Sequence, residues 1–393
     1  MENFRIVKKV DSLNRDKAVK EEIRQLLRLE SEDCIEGQEV GKKIDFLNPK
    51  EECRVLGSKG LIDLYNSVDA EKIDLTIPLS DIEHGGWYHD DEIILNFVKE
   101  GWNARGIYSF TGDFLDSLFR LKTYGNFCLN SGCKDLLNLN LKEQFENQKD
   151  STRQYRFLMD NETDEDTFLL RGITTTQYRN YDNYIALYLI LNALHVYSKN
   201  NNVDIYVESG HISDSDLDIE FKQDKKISID KDTSIEIGIR LRNNEIGEGR
   251  LKVEFIYTIS DSNNGFNAMG DNVVSITHRS QTSRIKSELS NFSKLTKYTK
   301  ETVDHVRNIK NVKKLDRDQL SYIFSMLSRA KRTDLRKNTK EKINEVYKNE
   351  IIGNTFSLIS IFNKIESIET SIDEKEFIRI VFNDLIRGEL SSI

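Results

Sequence analysis

Proline is almost missing from this chain: Pro49 and Pro78 are the only two among 393 residues, so no proline-rich linker separates rigid domains. Cysteine is scarce as well. Cys34, Cys53, Cys128 and Cys133 are too few and too scattered for a disulfide framework in a chain of this size. Cys128 and Cys133 have a C-x4-C spacing, but no CxxC knuckle accompanies them, so no zinc site is expected. No apolar run approaches the roughly 20 residues needed to span a bilayer, and the opening MENFRIVKKVDS lacks the apolar core of a signal peptide. The chain is therefore expected in the cytoplasm, with no membrane partner. GxSxG, HExxH, GxxxxGK[ST] and a GxGxxG following a strand are all missing. The six histidines, His84, His89, His195, His211, His278 and His305, fall in unrelated contexts. No catalytic residue can be nominated, an enzyme is not the favoured reading, and no cofactor is required.

What is present is charge, unevenly spread. With 38% hydrophobic and 31% charged residues the composition is that of a globular protein, and the net charge of −9 argues against indiscriminate binding to nucleic acid. Yet residues 279–348 hold 19 Lys/Arg against 8 Asp/Glu. A basic segment on an acidic body is compatible with a phosphate-bearing partner, and equally with docking onto that body.

Periodicity gives the element types. Lys17 to Glu30 places Val19, Ile23, Leu26 and Leu27 at helical spacing, and residues 1 to about 70 read as helical and auxiliary. Lys72 to Leu79 and Ala104 to Phe110 read as strands, with Thr111 or Asp113 capping the helix that carries Phe114, Leu115, Leu118 and Phe119. Tyr155 to Asp160 and Thr167 to Thr174 flank the turn NETDED, and Asp182 caps Asn183 to Tyr197, a helix apolar nearly all round and hence buried. Val203 to Glu208, Leu217 to Phe221 and Ile227 to Ile229 follow as strands. From Ser283 the pattern turns helical: a long basic helix, a second after Asp316 and Asp318, and a third announced by the capping box Ser371/Glu374. The expected fold is α+β, an antiparallel sheet with a buried helix followed by a helical C-terminal region. Its expected divisions are a mixed N-terminal region (1–100), a sheet core (101–280) and basic helices (281–393).

One hairpin can be paired residue by residue. Ile235, Ile237, Ile239 and Leu241 alternate with Glu236, Gly238, Arg240 and Arg242; Asn243 to Gly249 has turn chemistry; Leu251, Val253, Phe255 and Tyr257 then alternate again. Setting Leu241 opposite Leu251 gathers the apolar residues on one face and puts Arg242 opposite Arg250 and Arg240 opposite Lys252. Like charges directly opposed weaken a sheet. Four cations at one end therefore point to acidic neighbours, with Glu245 and Glu248 close by, or to a bound anion. Arg179, in the aromatic stretch beginning at Tyr178, and His278-Arg279 can extend such a surface: arginine forks onto phosphate, and tyrosine stacks on unpaired bases.

Other clusters fare worse. Glu83, His84, His89, Asp90, Asp91 and Glu92 match no helical ligand spacing and read as an exposed acidic loop. Asp214, Asp216 and Asp218 start like a calcium loop, but Ile219 stands where its glycine is required and Lys225 where its closing glutamate is, so they read as an acidic strand face.

The order of motifs resembles the phage/plasmid-like proteins, a family of unknown function carried on mobile elements. The residues are Ser109-Phe110-Thr111, Thr176 to Asn183 (TQYRNYDN), Gly238 to Val253 (GIRLRNNEIGEGRLKV), Asn264-Gly265, His278-Arg279 and the helix from Asn354 to Ile368. The resemblance covers roughly residues 105–390. Asn244 replaces the family's serine, Thr-x-Tyr-Arg its Ser-x-Arg-Tyr, and SDSNNG lacks its cysteine. It implies an origin on a mobile element and an association with DNA replication or recombination, and carries over no catalytic residue.

The expectation is thus a phage- or plasmid-type protein, homo-oligomeric, that binds single-stranded nucleic acid through Arg240, Arg242, Arg250, Lys252, Arg179, Tyr178, His278 and Arg279, with no metal. Reversing Arg240 and Arg242 to Glu should then abolish binding. The alternative is a protein-interaction or self-assembling factor of a phage or phage-defence system that binds no nucleic acid.

Overall fold

The structure, a computed structural model, describes residues 6–11, 13–30, 34–44, 50–89, 91–160, 167–247, 249–261, 264–310, 317–353 and 358–389. The NETDED turn, Glu248, Asp90, Asp316 and the start of the segment from Asn354 lie outside the described residues.

Two sheets carry the α+β architecture. The larger is built on the path β1-β9-β10-β12-β13-β14, antiparallel throughout: β1 (Val7–Asp11), β9 (Ile205–Ser213), β10 (Asp216–Gln223), β12 (Ser234–Asn244), β13 (Leu251–Ser260) and β14 (Gly265–Ile276). Two short strands extend it: β2 (Val55–Leu56) runs parallel to β9, and β11 (Ile227–Ser228) pairs with β12. The smaller sheet has the order β3-β7-β8-β6-β5-β4, from β3 (Lys72–Pro78), β4 (Ile82–Tyr88), β5 (Glu92–Phe97), β6 (Trp102–Gly106), β7 (Thr152–Asp160) and β8 (Thr167–Thr174). Its strands on either side of residue 100 pair with one another directly, β5 with β6.

Helices α1 (Lys20–Gln25), α2 (Ile35–Lys43) and α3 (Ser58–Asn66) are not auxiliary: Ile23, Val40, Leu61 and Tyr65 are buried in the same core as the larger sheet. Helices α4 (Phe110–Phe119), α5 (Lys122–Asn130) and α6 (Lys134–Asn147) pack on the smaller sheet through Phe114, Leu115, Leu118, Cys128, Leu137 and Leu141. Ser109 is the residue before α4, with neither expected cap in place; Thr111 Oγ1 instead accepts from the backbone N–H of Ile93 at 3.0 Å.

Helix α7 (Asn183–Asn201) is the buried helix that the apolar run announces, with Tyr188, Leu191 and Leu194 at 0% exposure. A helix apolar all round must be covered all round. The coverage comes from the larger sheet on one side and the N-terminal helices on the other.

The long basic helix is interrupted: α8 (Thr282–Leu289) passes through a 3-10 turn at Ser290–Lys294 into α9 (Leu295–Lys310). Helices α10 (Arg317–Arg329), α11 (Lys337–Gly353), α12 (Leu358–Glu366) and α13 (Ile372–Asp384) complete the chain, and their buried faces join the core of the larger sheet. Phe266 of β14 meets Phe362 and Phe382 edge to face at 4.9 and 5.5 Å, and those two rings stack at 4.0 Å, which fastens α12 and α13 to the sheet edge. The Ser371/Glu374 capping box at the start of α13 is present as read from the sequence.

Gly210, at the centre of β9, has φ +150° and pairs with both Val10 and Ile219. A Cβ there would lie 2.1 Å from the Asp218 carbonyl oxygen. Gly210→Ala should therefore destabilise the fold by more than about 1 kcal/mol, read as a lower urea midpoint with an unchanged m-value.

Candidate functional site

The hairpin β12–β13 exists, but its register differs by two residues from the sequence reading. Leu241 faces Val253, Ile239 faces Phe255 and Ile237 faces Tyr257, so Arg242 lies opposite Lys252 and Arg240 opposite Glu254. A shift of two keeps every side chain on its own face, so alternation alone cannot distinguish the two registers. The longer connection arises because Asn243 and Asn244 remain in the sheet, paired with Leu217 and Asp216 of β10.

This register removes the crowd of four cations. Arg240 is 4% exposed and holds the Asp218 carboxylate of β10 through Nε, at 2.6 Å from Oδ1, and through Nη2. Its Nη1 lies 3.0 Å from Glu376 Oε1 of α13, an ion contact without hydrogen-bond geometry. Arg242 donates to the other Glu376 oxygen at 2.7 Å. Burial alone would weaken the charged form of Arg240, but Asp218 and Glu376 outweigh it and hold the guanidinium charged. Arg179 pairs with Glu39 at 3.1 Å, and Lys252 is half-buried along the strand. The acidic-neighbour explanation therefore accounts for Arg240 and Arg242, and the expectation that their reversal tests an anion site is withdrawn: either change breaks internal ion pairs.

The connection from Asn243 to Gly249 does something the sequence did not disclose. Asn243 Nδ2 donates to the Tyr181 carbonyl at 3.0 Å and to Asn183 Oδ1 at 2.9 Å. Glu245, at 0% exposure, accepts from the first backbone N–H of α7, that of Asn183, at 2.9 Å. A carboxylate at this helix start satisfies an orphan donor and complements the helix dipole. Asp182, the expected cap, makes no cap hydrogen bond and accepts from Arg156 of β7 instead, at 2.7 and 2.9 Å.

Around Glu245 a buried ion network joins the two sheets. Lys72 of β3 lies 2.8 Å from one Glu245 oxygen, Arg171 of β8 lies 2.6 Å from the same oxygen, and Lys72 also reaches Asp69 at 3.1 Å. Asp69 pairs with Arg28; Arg156 holds Asp74 at 2.9 Å as well as Asp182, and donates to the Glu245 backbone carbonyl. Four cations, Arg28, Lys72, Arg156 and Arg171, thus meet four carboxylates, Asp69, Asp74, Asp182 and Glu245. The sequence carried one sign of this: Arg156 and Arg171 stand inside otherwise apolar strands, where an arginine needs a buried partner.

Beside this seam lies a cleft of about 490 Å³, walled by α4 on one side and by the β12–β13 connection and residues 277–279 on the other. Four of the eight nominated residues line it: Tyr178, Arg250, His278 and Arg279. The Tyr178 and His278 rings stack at 4.6 Å, only 5° from parallel, and the Tyr178 hydroxyl donates to the Glu245 carbonyl at 3.1 Å. His278 Nδ1 lies 3.1 Å from the Arg179 carbonyl, which fixes it as the protonated nitrogen. Burial pushes the imidazole down to about 4, so the ring is neutral near pH 7. Arg250 and Arg279 are exposed, and neither has a carboxylate within ion-pair distance among the described residues. Further along the chain Arg284, Lys286, Lys294, Lys297 and Lys300 are also exposed, with Arg284 and Lys297 each 3.6 Å from a glutamate one turn on, Glu288 and Glu301.

The remaining candidates lie elsewhere. His84 and His89 sit on the β4–β5 hairpin, His84 edge-on to Trp87 at 5.4 Å, and Asp216 and Asp218 on β10 engage His211 and Arg240. Among the described residues no group of three or more His, Cys, Asp or Glu is arranged to hold a metal ion, and no helix is long and apolar enough to cross a membrane. Comparison with protein-family models, with curated proteins and with solved structures finds no match to this chain.

Burial acts to raise the Glu245 pKa, but Lys72, Arg171 and Arg156 overcome it and hold the carboxyl well below its ordinary 4.5. A depressed pKa contributes stability that is present above the unfolded value and is lost as pH falls toward the folded one. Glu245→Gln should cost about 3 kcal/mol or more at pH 7, because it strands the buried Arg171 and leaves Lys72 with Asp69 alone. In chemical denaturation at several pH values, the gap between wild type and variant should be constant above about pH 5 and narrow below it.

Proposed function

We propose that this protein binds single-stranded nucleic acid in the cleft between α4 and the β12–β13 connection, as a phage- or plasmid-type factor serving DNA replication or recombination. The observation that carries this reading is the meeting of Tyr178, Arg250, His278 and Arg279 in one cleft, with both guanidinium groups exposed and, among the described residues, without a carboxylate in ion-pair range. Free arginine forks attract phosphate, and α8 and α9 carry further exposed cations. A cleft of about 490 Å³ is of a size to take one or two nucleotides of an unpaired strand. The origin on a mobile element rests on the motif resemblance alone.

A second reading, self-assembly or protein docking, has its own observation. Phe127 of α5 and Leu136 and Leu139 of α6 are exposed to 61%, 49% and 65%, an apolar group of the kind that protein contacts cover. Light scattering with and without oligonucleotide separates the two: an assembly indifferent to oligonucleotide favours this second reading.

For the first, fluorescence anisotropy with a labelled oligonucleotide across a salt series is the test. Arg250→Glu/Arg279→Glu should weaken binding at least about tenfold and flatten the log–log salt slope by about 1.4, with an unchanged circular-dichroism melt. Wild-type affinity in that double variant, or no salt-sensitive binding by the wild type, overturns the reading.

A further inference from the structure

The cleft is not uniformly basic. Besides Arg250 and Arg279, Asp113 and Asp116 of α4 line it. Asp113 is engaged, accepting from Ser109 Oγ at 2.5 Å and from Lys122 Nζ at 2.9 Å. Asp116 is exposed and has no side-chain hydrogen bond or ion pair among the described residues. His278 stands deeper in the wall, 4% exposed, with its Nδ1 committed to the Arg179 carbonyl and its Nε2 buried without a partner. A cleft that tracked phosphate alone would gain nothing from a carboxylate, which repels the strand it must hold. The arrangement instead calls for a ligand that is anionic at one end and rich in N–H donors at the other.

We infer that the cleft selects guanine within the bound strand, Arg250 and Arg279 taking the phosphates and Asp116 taking the base edge. This rests on the nucleic-acid reading above. A carboxylate is an acceptor only, with two oxygens that match two adjacent donors. Among unpaired bases guanine alone presents two neighbouring N–H donors on its Watson–Crick edge, N1–H and the N2 amine. Adenine and cytosine each pair one amine with an acceptor nitrogen that the carboxylate would repel. Thymine flanks its single N–H with two carbonyl oxygens.

The test uses the full chain and four labelled thymidine 12-mers whose central position is dG, dA, dC or dT, titrated by fluorescence anisotropy at fixed salt. The dG strand should bind roughly tenfold tighter than the other three. Replacing the central base with hypoxanthine, which keeps N1–H and loses the amine, should remove most of that advantage. Asp116→Asn should abolish the preference, so that the four strands bind alike, and should tighten binding of the all-thymidine strand slightly because a repelling carboxylate is gone. Asp116 is exposed, so the variant is expected to melt as the wild type does. Equal binding of all four strands, or a preference for dG that survives Asp116→Asn, overturns this inference and leaves the nucleic-acid reading standing. Failure of every strand to bind overturns both.

Discussion

Glu245 sits at the start of the buried helix with no exposed surface, and a carboxylate can remain charged there only if cations reach it. Lys72 and Arg171 come from one sheet, the glutamate from a connection in the other, and the helix supplies a backbone N–H. Separating the two sheets would leave charge uncompensated on both sides, Lys72 and Arg171 on one and Glu245 on the other. The value of such a network lies less in its net energy, which desolvation largely offsets, than in the cost of leaving any member unpaired. The constraint ties together segments as far apart as Arg28 and Glu245.

The geometry of the cleft follows from that anchor. With Asn243 and Glu245 drawn inward, the chain beyond them turns back outward, and Arg250 emerges beside Tyr178, His278 and Arg279. Arg240 and Arg242, a few residues earlier on the strand, lie under α13 and spend their charge on Asp218 and Glu376. The same run of arginines thus divides between internal pairing and the open cleft according to which residues the C-terminal helices cover.

Three segments distant in the chain meet at this place. Tyr178 to Asn183, the Asn-Asn-Glu-Ile-Gly connection and His278-Arg279 are far apart in the chain, and hydrogen bonds and ring stacking join them. Most of their polar residues hold the seam: Asn243, Glu245, Asn183 and Asp182 are buried and bonded to one another or to Arg156. Arg250 and Arg279 stay open to the cleft, joined by Asp116 of α4, a residue the sequence did not nominate.

Periodic burial wrote the α+β class, the buried helix, the existence of the hairpin and the Ser371 capping box into the chain, because these depend on neighbours within a few residues. The hairpin register was not written there, since two registers separated by two residues bury identical faces. Nor were the partners of Arg240, Arg242 and Glu245, because Asp218, Glu376, Lys72 and Arg171 are distant in sequence and only folding brings them within ion-pair range. Charge type is local and was legible. Charge compensation acts over a few ångströms of space, and the tertiary structure alone decided which cations were neutralised and which stayed free.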